Sequence, residues 1–222
     1  RRSDLRGPMR YLKATFTLVT LLSGALSSQA DDGAYKEFKS WQVSCSQTRS
    51  CSMRQFLSDN PLSGFELQRS GKPEAPVVLV VSPSDNALIE GDGVAEVTIS
   101  VDGSEPLVMT GSSVSADPGT YAFTLNGDFI GDGLIDSLKN GTTATIIMKR
   151  GEKTAKGDLP LAGAAASLLF IDEYQDRIGH VDAMSAKGDK APNPPLPVTD
   201  LMSSAELPEG IRSHFAEGGD CA

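Results

Sequence analysis

Two cysteines six residues apart, each at the end of an alternating run, constrain this chain most. Trp41-Gln42-Val43-Ser44-Cys45 alternates large apolar with polar residues, and Cys51-Ser52-Met53-Arg54-Gln55-Phe56 alternates again. Period-two alternation is the mark of a strand buried on one face. The polar stretch Ser46–Arg49 between them is short enough for a hairpin. An antiparallel hairpin would set Cys45 and Cys51 across from one another, so a disulfide is expected to pin its register. Metal binding would want more Cys or His nearby, and His180 and His214 lie far off in sequence. Redox catalysis would favour Cys-x-x-Cys, which this spacing is not.

A disulfide needs an oxidising compartment, and the N-terminus reads as an export signal. After Met9, Arg10 and Lys13 form a basic start and Ala14–Leu26 an apolar core of 13 residues. That core is short of the roughly 20 residues that span a bilayer. Ser28-Gln29-Ala30 offers small residues for cleavage, with Asp31 as the expected mature start. Residues 1–30 are therefore read as a signal peptide, the first eight of them preceding the first Met, and a periplasmic or secreted location follows. No integral membrane segment is expected after cleavage. Residues 1–30 hold five of the 20 basic residues and one of the 29 acidic ones, so the remainder carries 15 against 28, a formal charge of −13. Such a surface repels phosphate backbones, and nucleic acid is excluded as a partner.

Short strands continue along residues 31–190. Phe65–Arg69 alternates. Val77-Val78-Leu79-Val80-Val81 is a continuous run that predicts a strand covered on both faces. Val94–Val101 alternates, Asp102-Gly103 predicts a hairpin turn, and Leu107-Val108-Met109 returns. Tyr121–Leu125 and Thr142–Met148 are further strands, and Asn126-Gly127-Asp128 and Gly151-Glu152 are turns. Two segments read as helices. One is Asp132–Gly141, with Asp132 as N-cap and Gly141 as stop; the other is about Leu161–Arg177, ending near Gly179. Strands this short, divided by Gly, Pro and Asp, predict a mainly β, antiparallel sandwich or barrel with one or two short helices. Residues 191–222 are expected to form a Pro-rich linker (Ala191–Pro197) and a truncated C-terminal segment with the odd Cys221, read as a free thiol, a link between chains or a cysteine whose partner is lost to truncation.

The chemistry is sparse. The sequence has no Gly-x-Ser-x-Gly, no His-Glu-x-x-His and no phosphate-cradling Gly loop. Asn126-Gly127-Asp128-Phe129-Ile130 starts like a calcium loop, but Ile130 stands at a ligand position. No catalytic residue, metal site or cofactor is assigned. The candidate ligand-binding residues are Asp172, Tyr174, Asp176 and Arg177. Asp172 and Asp176 are four apart and would share a helix face, where paired carboxylates can move a proton or hold a cation. The competing reading is a solvated helix end with Asp–Arg pairing.

Phe38-Lys39-Ser40-Trp41-Gln42-Val43-Ser44-Cys45, followed by Arg49-Ser50-Cys51-Ser52-Met53, resembles the opening of bacterial exported proteins related to invasion-associated locus B. It is more similar to a sister family, a domain of unknown function. Leu159–Ala166 and Ile171–Gly179 resemble that family's second signature. The resemblance implies an envelope location, an immunoglobulin-like sandwich, continuation beyond residue 222 with more Cys, and no known enzymatic activity. The residues then point to a non-catalytic binding module for an envelope protein or small ligand. A hydrolase or lyase using the helix-borne carboxylates is one alternative, and an invasion- or stress-associated protein that docks through its surface is the other.

Overall fold

The computed structural model describes residues 33–126 and 130–194. The leader 1–30, the turn residues Gly127 and Asp128, the end of the Pro-rich stretch (195–197) and Cys221 lie outside them.

The first five strands form a meander: β1 (Ala34–Phe38), β2 (Trp41–Cys45), β3 (Cys51–Phe56), β4 (Leu62–Arg69) and β5 (Val77–Pro83). Each pairs antiparallel with the next. A short helix α1 (Ala87–Glu90) leads to β6 (Ala95–Val101) and β7 (Leu107–Thr110), then β8 (Val114–Asp117) and β9 (Ala122–Leu125). Helix α2 (Asp132–Asn140), β10 (Thr143–Arg150), β11 (Lys153–Pro160) and helix α3 (Ala164–Tyr174) complete the order. The strands make two antiparallel sheets, β1-β2-β3-β4-β5-β9-β8 and β11-β10-β6-β7. The protein is thus mainly β with two sheets and short helices. Immunoglobulin constant domains divide four strands against three with Greek-key crossings; here a five-strand meander dominates the larger sheet.

The alternation seen in the sequence sets the packing. Trp41, Val43 and Cys45 on β2 and Cys51 and Met53 on β3 are buried, while the residues between them are half-exposed. The inward residues of both sheets join one hydrophobic cluster that includes Phe65, Leu79, Ile99, Phe123, Ile146 and Leu159. Each fully buried Leu or Ile contributes about 1.5–3 kcal/mol. The two sheets meet at Gly157 on β11, where a Cβ would collide with Leu62 on β4. Trp41 meets Phe65 edge-on, with centroids 6.0 Å apart.

Three expectations change. Val77–Val81 is not covered on both faces: Leu79 and Val81 are buried, but Val78 and Val80 stay half-exposed on the outer face. Antiparallel sheets keep one face toward water, and the β-branched residues there serve pairing rather than a second core. Helix α3 is shorter than Leu161–Arg177. Its start waits for Gly163, whose φ of 101° ends the preceding segment, and it stops before Asp176, whose φ is 55°. At α2 the N-cap is Gly131, with Asp132 in the first turn, and Gly141 is extended (φ −83°) rather than left-handed. The Asp102-Gly103 turn forms as expected. Both residues have positive φ, as a type I′ hairpin requires, and Ser104 N–H donates to Val101 O at 2.9 Å.

Candidate functional site

The disulfide forms: Cys45 and Cys51 face one another in register across β2 and β3. It closes the hairpin 45–51, whose tip turns at Arg49 (φ 58°). This tip is docked on the end of α3. Tyr174 donates its hydroxyl to Ser46 O at 3.2 Å, and Gln175 donates its amide to Arg49 O at 2.6 Å.

Beneath the tip lies the charged cluster, and Arg69 is its centre. Arg69 continues the inward phase of Phe65 and Leu67 on β4, so it enters the interior and is only 3% exposed. Its Nη2 donates to Asp172 Oδ1 at 2.7 Å, its Nε to Gln175 Oε1 at 2.8 Å and its Nη1 to Asp182 O at 2.9 Å. Asp172 is fully buried. Besides Arg69 it accepts three backbone N–H groups, from Met184 (3.0 Å), Ser185 (2.6 Å) and Ala186 (3.3 Å). Arg177 donates to Asp182 Oδ2 at 2.9 Å and to the carbonyls of Ser70 and Lys72. Burial lowers the Arg69 pKa, with the nearby Arg177 charge adding to the shift and Asp172 opposing it. Burial also lowers that of Arg177, opposed by Asp182 and then Asp172. A guanidinium in a protein stays protonated, so two buried cations face two carboxylates.

The four candidate residues do not gather in one pocket. Asp172 and Arg177 are buried in this network, and Tyr174 is half-buried against Phe170, with centroids 6.4 Å apart. Asp176 is exposed. Asp172 and Asp176 share no helix face, because α3 ends at Tyr174 and the left-handed turn at Asp176 sends its side chain elsewhere. The carboxylate pair that a hydrolase or lyase would use is therefore not assembled. Asp172 instead pins residues 184–186 to α3, and Arg69 joins β4 to α3. Sequence reasoning named Asp172 and Arg177 but missed Arg69 and Asp182. The signal for Arg69 was available: a charge in phase with the apolar positions of an alternating strand.

A hollow of about 260 Å³ borders this cluster at Arg69, Asp182 and Met184, and a larger one lies on the outer face of β2, β3 and β4. This larger hollow, of about 570 Å³, is lined by Ser44, Ser52, Glu66 and Gln68 and, toward the hairpin end, by the Cys45–Cys51 bridge, neighbouring serines and Arg69. A smaller one of about 130 Å³, bordered by Arg54, Phe56 and Val80, adjoins it, and Glu66 lines both. Among the described residues, the side chains of Gln42, Glu66 and Gln68 have no hydrogen-bond or ion-pair partner. Within the described residues no three His, Cys, Asp or Glu side chains gather to hold a metal. No helix among them is long and apolar enough to cross a membrane.

The family described as "Protein of unknown function (DUF1176)" matches residues 35–217, which take in the disulfide hairpin, the outer hollow and the buried cluster. The chain belongs to this family. It is 28% identical over 192 residues to the uncharacterized protein YpfG of Escherichia coli (strain K12), covering 85% of this chain and 52% of that one. The chain thus spans about half the length of the curated relative it matches. The crystal structure of invasion associated protein b from Bartonella henselae aligns with 64% of this chain and 99% of its own, at 13% identity and a TM-score of 0.47.

Proposed function

We propose that this DUF1176 protein is a non-catalytic binding module of the cell envelope that presents the outer face of β2–β4 to its ligand. The observation that carries this reading is the division of polar groups. Those of the buried charged cluster are mostly consumed by the fold: Asp172 takes four donors, and Arg69 and Arg177 give theirs to Asp172, Asp182 Oδ2, Gln175 and backbone carbonyls, which leaves Asp182 Oδ1 as the cluster's unpartnered atom among the described residues. On the outer face the side chains of Gln42, Glu66 and Gln68 are uncommitted among the described residues, and Glu66 and Gln68 line a hollow of ligand-binding size. The export signal read in residues 1–30 and the disulfide support the envelope location.

Carbodiimide labelling of carboxylates, read by mass spectrometry, tests this. In the presence of envelope extract, Glu66 is expected to lose labelling while Asp136 on α2 keeps it. Equal labelling of both, with and without extract, contradicts the proposal.

A further inference from the structure

We propose that the outer hollow is a saccharide subsite that takes uncharged pyranose units of a glycan chain; this rests on the binding-module reading above. The strand register places two rows of side chains on that face. One row runs Tyr35, Ser44, Ser52, Gln68 across β1 to β4. The next runs Glu37, Gln42, Arg54, Glu66. At a strand spacing of ~4.8 Å each row spans about 14 Å. In the first row the short serines stand between longer side chains, which leaves a trough at β2 and β3. Ser44 and Ser52 face each other there, with hydroxyls 3.3 Å apart.

The groups in and beside the trough suit hydroxyl-rich ligands. Glu66 offers two acceptor oxygens, Gln42 and Gln68 each offer donors and an acceptor, and Arg54 offers a fork of donors. Adjacent ring hydroxyls both give and accept, so they can satisfy all of these at once. At the β1 end Tyr35 is 58% exposed and presents an aromatic face to the apolar side of a ring. Its hydroxyl is held by Glu37, which raises its pKa.

Charge argues for a neutral ligand. Glu66 lies opposite Arg54 in register, so the trough carries one sign against the other. An anionic polymer meets the net negative charge of the whole protein, and a cationic one finds two carboxylates, Glu66 faced by the Arg54 guanidinium and Glu37 holding the Tyr35 hydroxyl. A peptide adding itself as an extra strand is ruled out at this place by topology. β2, β3 and β4 are interior strands paired on both sides, so their backbone groups are taken.

The test is a titration of the ¹⁵N-labelled full chain with the neutral tetramer of N-acetylglucosamine, followed by amide shifts. The amides of Ser44, Ser52, Glu66 and Gln68 are expected to move. Glu66→Gln is expected to weaken binding roughly tenfold or more, since a hydrogen bond to a charged group is lost, with unchanged melting temperature. No movement at saturating tetramer, or movement confined to other surfaces, overturns the saccharide assignment. If the tetramer is silent while envelope extract still protects Glu66 from carbodiimide, the binding module stands and only the saccharide falls. If neither acts on Glu66, both fall.

Discussion

Replacing Asp172 by Asn keeps the side chain's shape and removes its charge. Its two oxygens are each met by two donors: Oδ1 by Arg69 and the Met184 N–H, Oδ2 by the N–H groups of Ser185 and Ala186. An amide NH₂ at either position therefore confronts two donors with a third. Arg69, 3% exposed, is left as a buried charge without its counter-ion. Removing one partner of a buried ion pair costs about 3–5 kcal/mol. For a domain of this size that corresponds to a drop of roughly 6–20 °C in melting temperature, at about 2–4 °C per kcal/mol. Urea denaturation followed by far-ultraviolet circular dichroism gives the free energy. Asp176→Asn, at an exposed position, is expected to change stability by no more than about 0.5 kcal/mol. Adding Arg69→Met is expected to cost less in the Asp172→Asn background than in the wild type, because the pair is already broken. A loss for Asp172→Asn below about 1 kcal/mol, the worth of an exposed pair, refutes the reasoning.

Gly163→Ala is expected to destabilise by about 1–3 kcal/mol, since φ is 101° and a Cβ would strike the Phe38 carbonyl and sit 3.2 Å from Trp41 Cδ1; an unchanged denaturation midpoint contradicts it. The Cys45→Ser/Cys51→Ser variant closes no ring at the hairpin and is expected to lose about 2 kcal/mol, the low end for so short a loop, as read by urea denaturation. Asp117 accepts the Thr120 hydroxyl and the Gly119 N–H, which holds its pKa below the usual carboxylate value. A depressed folded pKa means its contribution is present above the unfolded value of about 3.9 and is lost as pH falls through the folded one. A carboxyl-carbon NMR titration with a midpoint above the usual Asp value contradicts that.

The strands that alternate were legible because one face of each is buried: β2, β3 and β6 run as their apolar positions predict. The five-residue apolar run of β5 misled, since β-branched residues favour strands on an open face as well as in a core. The end of α3 was misplaced because no helix breaker other than Gly179 stands in the sequence there; the stop comes from Asp176 adopting φ 55°, a conformation Asp tolerates but does not announce. That error of one turn joined Asp172 to Asp176 as a false pair. Arg69 was legible as an inward-phased charge on its strand, but its partners Asp172 and Gln175 lie more than 100 residues away, and no local pattern records them. The trough arises from register, which sets Ser44 beside Ser52 and Gln68, and register depends on the hairpin that the disulfide pins.

The division between a charged interior spent on folding and an outer face free to bind is tested by melting Asp172→Asn and Glu66→Gln side by side, with and without the N-acetylglucosamine tetramer. The account predicts that Asp172→Asn melts well below wild type and is still raised by the tetramer. Glu66→Gln should melt with wild type and gain little from it. A Glu66→Gln protein that unfolds early, or an Asp172→Asn protein that melts normally but has lost its response to the tetramer, would place the binding chemistry in the interior and contradict it.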